Sequence, residues 1–252
     1  MTSNMIYRIR RSGTLDWPIK VPTPEGPHFV YHQARHLFLG RSGRGPLHVA
    51  WDTNLLLDYF DHGAALWDNE SLAERCPGEY GEELEALQVI ISLWVVRDIR
   101  FHILEGTIAD SRTPLSDERR ARRRQAWREF CDALALVADD ESLRIDTLLL
   151  PRSALQNALA MVPAGNDRRL VAEAVQSRLH VFLTRDKGVL AAKEALRPFG
   201  LLIMSPGDLL EALAAAGAIH CLLDRRHLYW PMPDQQRVSH LIRALDPTEF
   251  RA

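Results

Sequence analysis

Asp52, Asp167 and Asp186 stand where carboxylates can do metal chemistry. Asp52 follows the apolar run Leu47-His48-Val49-Ala50-Trp51, and Asp186 lies two residues past Thr184, after Val181-Phe182-Leu183. Asp167 follows Gly165-Asn166 at the head of a helical pattern carrying Leu170, Val171, Ala174 and Val175. Like charges gathered in one place repel and raise one another's pKa, so a carboxylate cluster ordinarily calls for cations. Mg2+ and Mn2+ suit it: they take oxygen ligands, and Mg2+ uses one or two carboxylates while keeping water and recruiting substrate phosphate. Two such ions about 3.5–4 Å apart can activate water and stabilise the leaving oxygen of a phosphodiester. Each aspartate also has a plainer reading as a helix cap, because Asp is a preferred N-cap residue and Gly-Asn-Asp before an apolar helix is a routine start signal.

Elements of the right type must bring these residues together. Leu47–Trp51 reads as a strand, followed by a helical pattern in Leu55-Leu56-Leu57 and Tyr59-Phe60. Residues 61–81 are polar with turn formers, and Glu82–Val96 carries Leu84, Leu87, Ile91 and Val95 at helical spacing. Ile99, Phe101 and Ile103 alternate with Arg100 and His102 as in a half-buried strand. Thr107–Asp110 opens a helix that Ser116–Val137 continues, basic first and apolar later. Val181–Thr184 and Leu201–Met204 read as buried strands separated by a helical Lys187–Arg197. Helices between strands imply parallel crossovers, hence an α/β fold with a central, mainly parallel sheet flanked by helices. Such sheets bind ligands outside the carboxyl ends of their strands, where Asp52 and Asp186 fall.

The 252 residues suffice for one large domain, and 46% hydrophobic with 25% charged residues is an ordinary globular composition. The expected organisation is an N-terminal extension over 1–46 with a small hairpin, a core domain over 47–213, and a C-terminal extension over 214–252. In that last stretch an apolar helix runs from about Ala214 into Leu228-Tyr229-Trp230-Pro231, and Val238–Leu245 forms a short amphipathic piece. No apolar run approaches the roughly 18 residues of a membrane span, and the charged start has no apolar core behind it, so a soluble, unexported protein with no membrane partner is expected. Cys76, Cys131 and Cys221 fit neither a disulfide framework nor zinc spacing, which points to a reducing cytoplasm. A net charge of −2 gives no global attraction for nucleic acid, so any such binding needs local basic patches.

With these elements in place, the chain resembles PIN-domain nucleases. Val49-Ala50-Trp51-Asp52-Thr53-Asn54-Leu55-Leu56-Leu57-Asp58 is similar to the family's first motif, an apolar strand ending in Asp with Thr or Ser and Asn following. Asn166-Asp167-Arg168-Arg169-Leu170-Val171-Ala172 looks like the third motif, and Val181-Phe182-Leu183-Thr184-Arg185-Asp186 looks like the last. Order and spacing agree over roughly Leu47 to Leu213. The resemblance implies a PIN-like fold and an endoribonuclease whose acidic cluster holds one or two Mg2+ or Mn2+ ions, with water as nucleophile and no covalent intermediate. Asp52, Asp167 and Asp186 would be metal ligands, while Thr184 and Asn54 would orient carboxylates or water. For the family's second acidic position two residues compete: register places Asp110 there, whereas Glu105 is the residue type the family usually has. Five residues apart, they are separated by about 500° around a helix and face different ways. The resemblance further implies an RNA substrate, an antitoxin or other inhibitor protein as a candidate partner, and a homodimer, although toxin-type PIN proteins are much shorter than this chain.

Basic residues beside the acids, Arg168, Arg169, Arg185 and Lys187, are candidate substrate contacts, or else balance the acidic charge. The run Arg119-Arg120-Ala121-Arg122-Arg123-Arg124 with Arg128 could track phosphates, but is better read as a solvated helix face salted by Asp117, Glu118 and Glu129. Ten histidines show no transition-metal spacing and read as scattered surface and core residues. Leu228-Tyr229-Trp230 could stack a base and reads better as a hydrophobic anchor. Three other functions compete. A haloacid-dehalogenase-type phosphatase needs a second Asp where this chain has Asn54. A catalytically silent scaffold binding nucleic acid or protein would be expected to lose carboxylates that are kept here. A structure-specific DNA nuclease should show a helix-hairpin-helix segment, and none is evident.

Overall fold

A computed structural model describes residues 28–67, 71–94, 97–104, 106–107, 117, 121 and 152–218. In chain order the elements are β1 (Phe29–Val30), a 3-10 turn (Tyr31–Gln33), α1 (Arg35–Phe38), β2 (Arg44–Gly45), β3 (Leu47–Trp51), α2 (Thr53–Trp67), α3 (Leu72–Arg75), α4 (Glu79–Trp94) and β4 (Ile99–Ile103). They continue with α5 (Arg152–Ala160), α6 (Asn166–Gln176), β5 (Val181–Leu183), α7 (Lys187–Leu190), α8 (Lys193–Leu196), a 3-10 turn (Arg197–Phe199), β6 (Leu202–Met204) and α9 (Pro206–Ala215). The fold is α/β: a four-stranded parallel sheet, in the order β4-β3-β5-β6, is flanked by helices. Among the described residues no helix is long and apolar enough to cross a membrane.

The chain divides into two compact units, one of which takes its described residues from 48–63 and 100–205 and carries most of this sheet. β3 and β5 pair in parallel with Val49 opposite Val181 and Trp51 opposite Leu183, and β5 pairs with β6 through Val181–Leu202 and Leu183–Met204. Every residue of β3 and β5 is buried, which is why both read as continuous apolar runs and not as alternation. Below the sheet α6 buries Leu170, Val171 and Ala174 at one-turn spacing against a core of Ala50, Phe182, Val189 and Ile203. α6 stops in a six-to-one bond from Leu179 N–H to Ala174 O and a bond from Arg178 N–H to Val175 O, with Arg178 at φ 56°.

Three of the histidines, expected to be scattered, meet inside this unit. The His48 backbone N–H donates to His180 Nδ1 at 2.9 Å, and His48 Nδ1 lies 2.8 Å from His102 Nε2, so one of that pair carries the proton. Burial, and then the charge of Arg100, lower the His102 pKa from 6.5 to about 4.

The other unit takes its described residues from 28–47, 64–99 and 206–218. β1 and β2 form the expected small antiparallel pair, with Phe29 opposite Gly45. The Phe38 ring stacks on Tyr31 at 4.1 Å, and the Tyr31 hydroxyl donates to Pro46 O at 3.2 Å. A Cβ at position 45 would sit 2.7 Å from that hydroxyl, which explains the glycine there. α4 packs against α3 and α9, and a Glu83 carboxylate oxygen accepts the Gly207 N–H at the start of α9.

Several elements differ from the sequence reading. Residues 61–67, expected to be turns, continue α2, because Ala65 and Leu66 extend the buried stripe begun by Leu55, Leu56 and Tyr59 while polar Asp61 lies on the exposed face. Leu72–Arg75 is helical as well. Lys187–Arg197 is two single-turn helices and not one. α9 begins at Pro206, not near Ala214, and ends at Ala215, closed by Gly217 at φ 71° and a bond from Ala218 N–H to Leu213 O. Helix α5 was not anticipated. Glu105, Asp110, most of the expected helix over 107–137, Cys131, Cys221 and everything from 219 onward, including Leu228-Tyr229-Trp230, lie outside the described residues.

The folded chain holds fewer protons on His102 than the unfolded chain between pH 6.5 and about 4, so this group's stabilising contribution is complete above 6.5 and is lost as pH falls through 4. His102→Gln removes the dependence. Relative to wild type, its melting temperature is expected to rise steadily on acidification across that window, the full effect being on the order of 3 kcal/mol. An offset that stays constant with pH would show that this imidazole titrates normally.

Candidate functional site

The parallel register of β3 and β5 builds the site. With Trp51 opposite Leu183, the next residues on each strand, Asp52 and Thr184, come level at the carboxyl end of the sheet. Asp52 N–H donates to Leu183 O at 3.0 Å and Thr184 N–H to Met204 O at 2.9 Å, so both are anchored by the backbones of neighbouring strands. The Thr184 hydroxyl then donates to Asp52 Oδ2 at 2.5 Å. Asn54 Nδ2, from the first turn of α2, donates to the same oxygen at 2.7 Å and contacts Thr184 Oγ1 at 3.3 Å. Thr53 N–H donates to Asp52 Oδ1 at 2.7 Å. Thr107 closes the other side, its buried hydroxyl donating to Trp51 O at 3.3 Å.

Asp52 is only 3% exposed. Hydrogen bonds to a carboxylate ordinarily lower its pKa, and those from Thr184 and Thr53 do so here. Burial outweighs them, and the charges of Asp167 and Asp186 add to it, so the pKa rises from 3.8 to about 6. The charges of two other expected acids therefore reach Asp52. Asp186 is exposed and also realises its plainer role: its Oδ1 caps α7, accepting Gly188 N–H at 2.7 Å and Val189 N–H at 3.0 Å. Its own N–H donates to Thr184 Oγ1 at 3.0 Å. Asp167 is half-buried in the first turn of α6, whose N-cap is Gly165, so the residue is not that helix's cap.

The basic residues are placed less uniformly. Arg168 points to the end of α5, where its Nε and Nη2 donate to Val162 O at 3.1 and 2.8 Å and Nη2 reaches Ala160 O at 3.3 Å. Arg185 is paired bidentately with Asp58: Nε donates to Oδ2 at 2.7 Å and Nη2 to Oδ1 at 2.8 Å. Arg169 is exposed and its guanidinium lies over Gly106, where a Cβ would come within 3.2 Å of Nη2. Lys187 is exposed in the first turn of α7. Sequence reasoning gave Asp58 no role. Its signal was spacing: it stands one helical turn after Asn54 and on the same face.

The carboxylates of Asp52, Asp167 and Asp186 would offer oxygen ligands, which is the chemistry of a hard divalent cation and unsuited to a soft one. Among the described residues no group of three His, Cys, Asp or Glu side chains is arranged to hold a metal ion. Glu105 and Asp110, the competing second acids, lie outside them. Comparison with known protein families, with curated proteins and with solved structures finds no match to this chain.

The Asp52 shift has the opposite sign to that of His102. The folded chain, free of metal, keeps a proton on Asp52 between pH 3.8 and about 6, so this stabilising contribution is complete below 3.8 and lost as pH rises through 6. In EDTA, Asp52→Asn should gain stability relative to wild type as pH rises across that window, by on the order of 2–3 kcal/mol. Parallel melting curves would discount the shift. Thr184→Val, which strips a donor from buried Asp52 and an acceptor from Asp186 N–H, should cost about 1–3 kcal/mol by chemical denaturation.

Proposed function

We propose that this chain is a divalent-metal-dependent endoribonuclease with a PIN-like fold, cutting RNA phosphodiester bonds at the carboxyl end of its parallel sheet. The observation that carries the proposal is the buried Asp52 carboxylate, its pKa raised to about 6 beside Asp167 and Asp186. A lone buried carboxylate that repels its neighbours is unfavourable, and a bound cation offsets that cost. The motif order of the sequence and the placement of Thr184 and Asn54 on Asp52 support the same reading.

In this reading Asp52, Asp167 and Asp186, with Asp110 or Glu105, would hold Mg2+ or Mn2+. The cation, when bound, activates water and neutralises phosphate charge. Thr184 and Asn54 hold the Asp52 carboxylate in one orientation, so its oxygens do not need to reorganise when substrate arrives. Arg169 and Lys187, both exposed, are the proposed phosphate contacts, while Arg168 bonds helix-end carbonyls and Arg185 bonds Asp58. An inhibitor protein such as an antitoxin, and a homodimer, belong to this proposal as candidate partners.

The test is cleavage of labelled single-stranded RNA and the matching DNA in Mg2+, Mn2+ or EDTA. Cleavage of RNA is expected with metal and not with EDTA, and Asp52→Asn and Asp186→Asn should reduce it to background while remaining folded. Activity that survives in either purified variant would defeat the assignment. Absence of cleavage in wild type would leave a binding scaffold. Because protonated Asp52 is a poor ligand, the acidic limb of the rate profile should move to lower pH as Mn2+ is raised. A limb that ignores metal concentration would argue against Asp52 as a ligand.

A further inference from the structure

Thr184 and Arg185 are held by successive turns of one helix. Asn54 and Asp58 share a face of α2, four residues apart. Asn54 bonds Thr184 Oγ1, and its Oδ1 accepts Arg185 N–H at 3.4 Å. Asp58, 6% exposed, takes the Arg185 guanidinium in two bonds of 2.7 and 2.8 Å. Arg185 is flanked in the chain by Thr184, which holds Asp52, and by the exposed acid Asp186. A guanidinium is permanently charged and matches a carboxylate fork, so in this position it is a natural competitor for the acids that would hold a cation.

Resting on the nuclease reading above, the geometry points to Asp58 as a positioning residue that holds the Arg185 guanidinium on α2 and so leaves the Asp52 and Asp186 carboxylates open to a divalent cation. The pair is charge-neutral in itself. Its two parallel bonds also fix the side chain's direction, which one hydrogen bond would not. A scaffold role alone would make both partners equally necessary. Diversion of a competing charge makes Asp58 necessary only while Arg185 is present.

That asymmetry is the test. Mn2+ binding to the full chain, without RNA, would be measured by calorimetry and by electron paramagnetic resonance for wild type, Asp52→Asn, Asp58→Asn, Arg185→Gln and the Asp58→Asn/Arg185→Gln pair. Wild type should bind and Asp52→Asn should not. Asp58→Asn should weaken binding by about tenfold or more, the scale on which residues supporting metal ligands act. Arg185→Gln should bind as wild type does, and the double variant should recover wild-type affinity. Unchanged affinity in Asp58→Asn, or a double variant no better than Asp58→Asn, overturns the inference while leaving the metal site standing. So does an Arg185→Gln variant as weak as Asp58→Asn. Should Asp58→Asn be too unstable to purify, weak binding by Arg185→Gln or by the double variant overturns it equally. No Mn2+ binding by wild type, or binding that Asp52→Asn retains, removes the nuclease site and the inference together.

Discussion

A carboxylate buried at the end of the two central strands constrains everything around it. Asp52 cannot sit there without donors, and the structure supplies them from the backbone at the head of α2, from Asn54 on the same turn, and from Thr184 across the register of β3 and β5. Each donor is fixed by something else: Thr184 by its backbone bond to β6, Asn54 by the helix, Thr53 by the turn itself. Burial still wins over these bonds, so the site holds unfavourable charge in reserve. A cation would relieve it.

The sheet explains why the site is where it is. Parallel strands end together, so residues following β3 and β5 are brought level by register alone, and the helices that begin there present backbone N–H groups to carboxylates. Asp186 shows that capping and a functional role do not exclude one another: one oxygen serves α7 while the residue's charge still acts on Asp52. The ion pair of Asp58 and Arg185 adds a second attachment from α2 to the same segment. Two opposed titrations also share this unit, Asp52 losing stability as pH rises and His102 as it falls, so their effects partly cancel between about pH 4 and 6.

Much of this was legible in the chain because it is local. Leu47–Trp51 and Val181–Leu183 are short, apolar and bounded, and a strand buried on both faces leaves no other pattern. The helix of α6 announced itself by Leu170, Val171 and Ala174. The continuation of α2 past Asp61 did not, because an exposed polar face over one turn resembles a loop when only composition is weighed. Helix α5 buries only Ala158 among its residues, so its apolar stripe carries little signal. The histidines were misjudged for a related reason: His48 and His180 are 132 residues apart, and no spacing rule spans that distance.

By itself, then, the sequence determined which residues end the strands and which acids lie there, because strand and helix periods act over a few residues. Only the tertiary structure decided what those side chains touch. Thr184 becomes a donor to Asp52 through register, Arg185 is claimed by Asp58 because one helix face meets one loop, and Arg168 turns to helix-end carbonyls instead of toward the acids. Hydrogen bonds and desolvation depend on distances of a few ångströms between chain-remote atoms, and those distances exist only after folding.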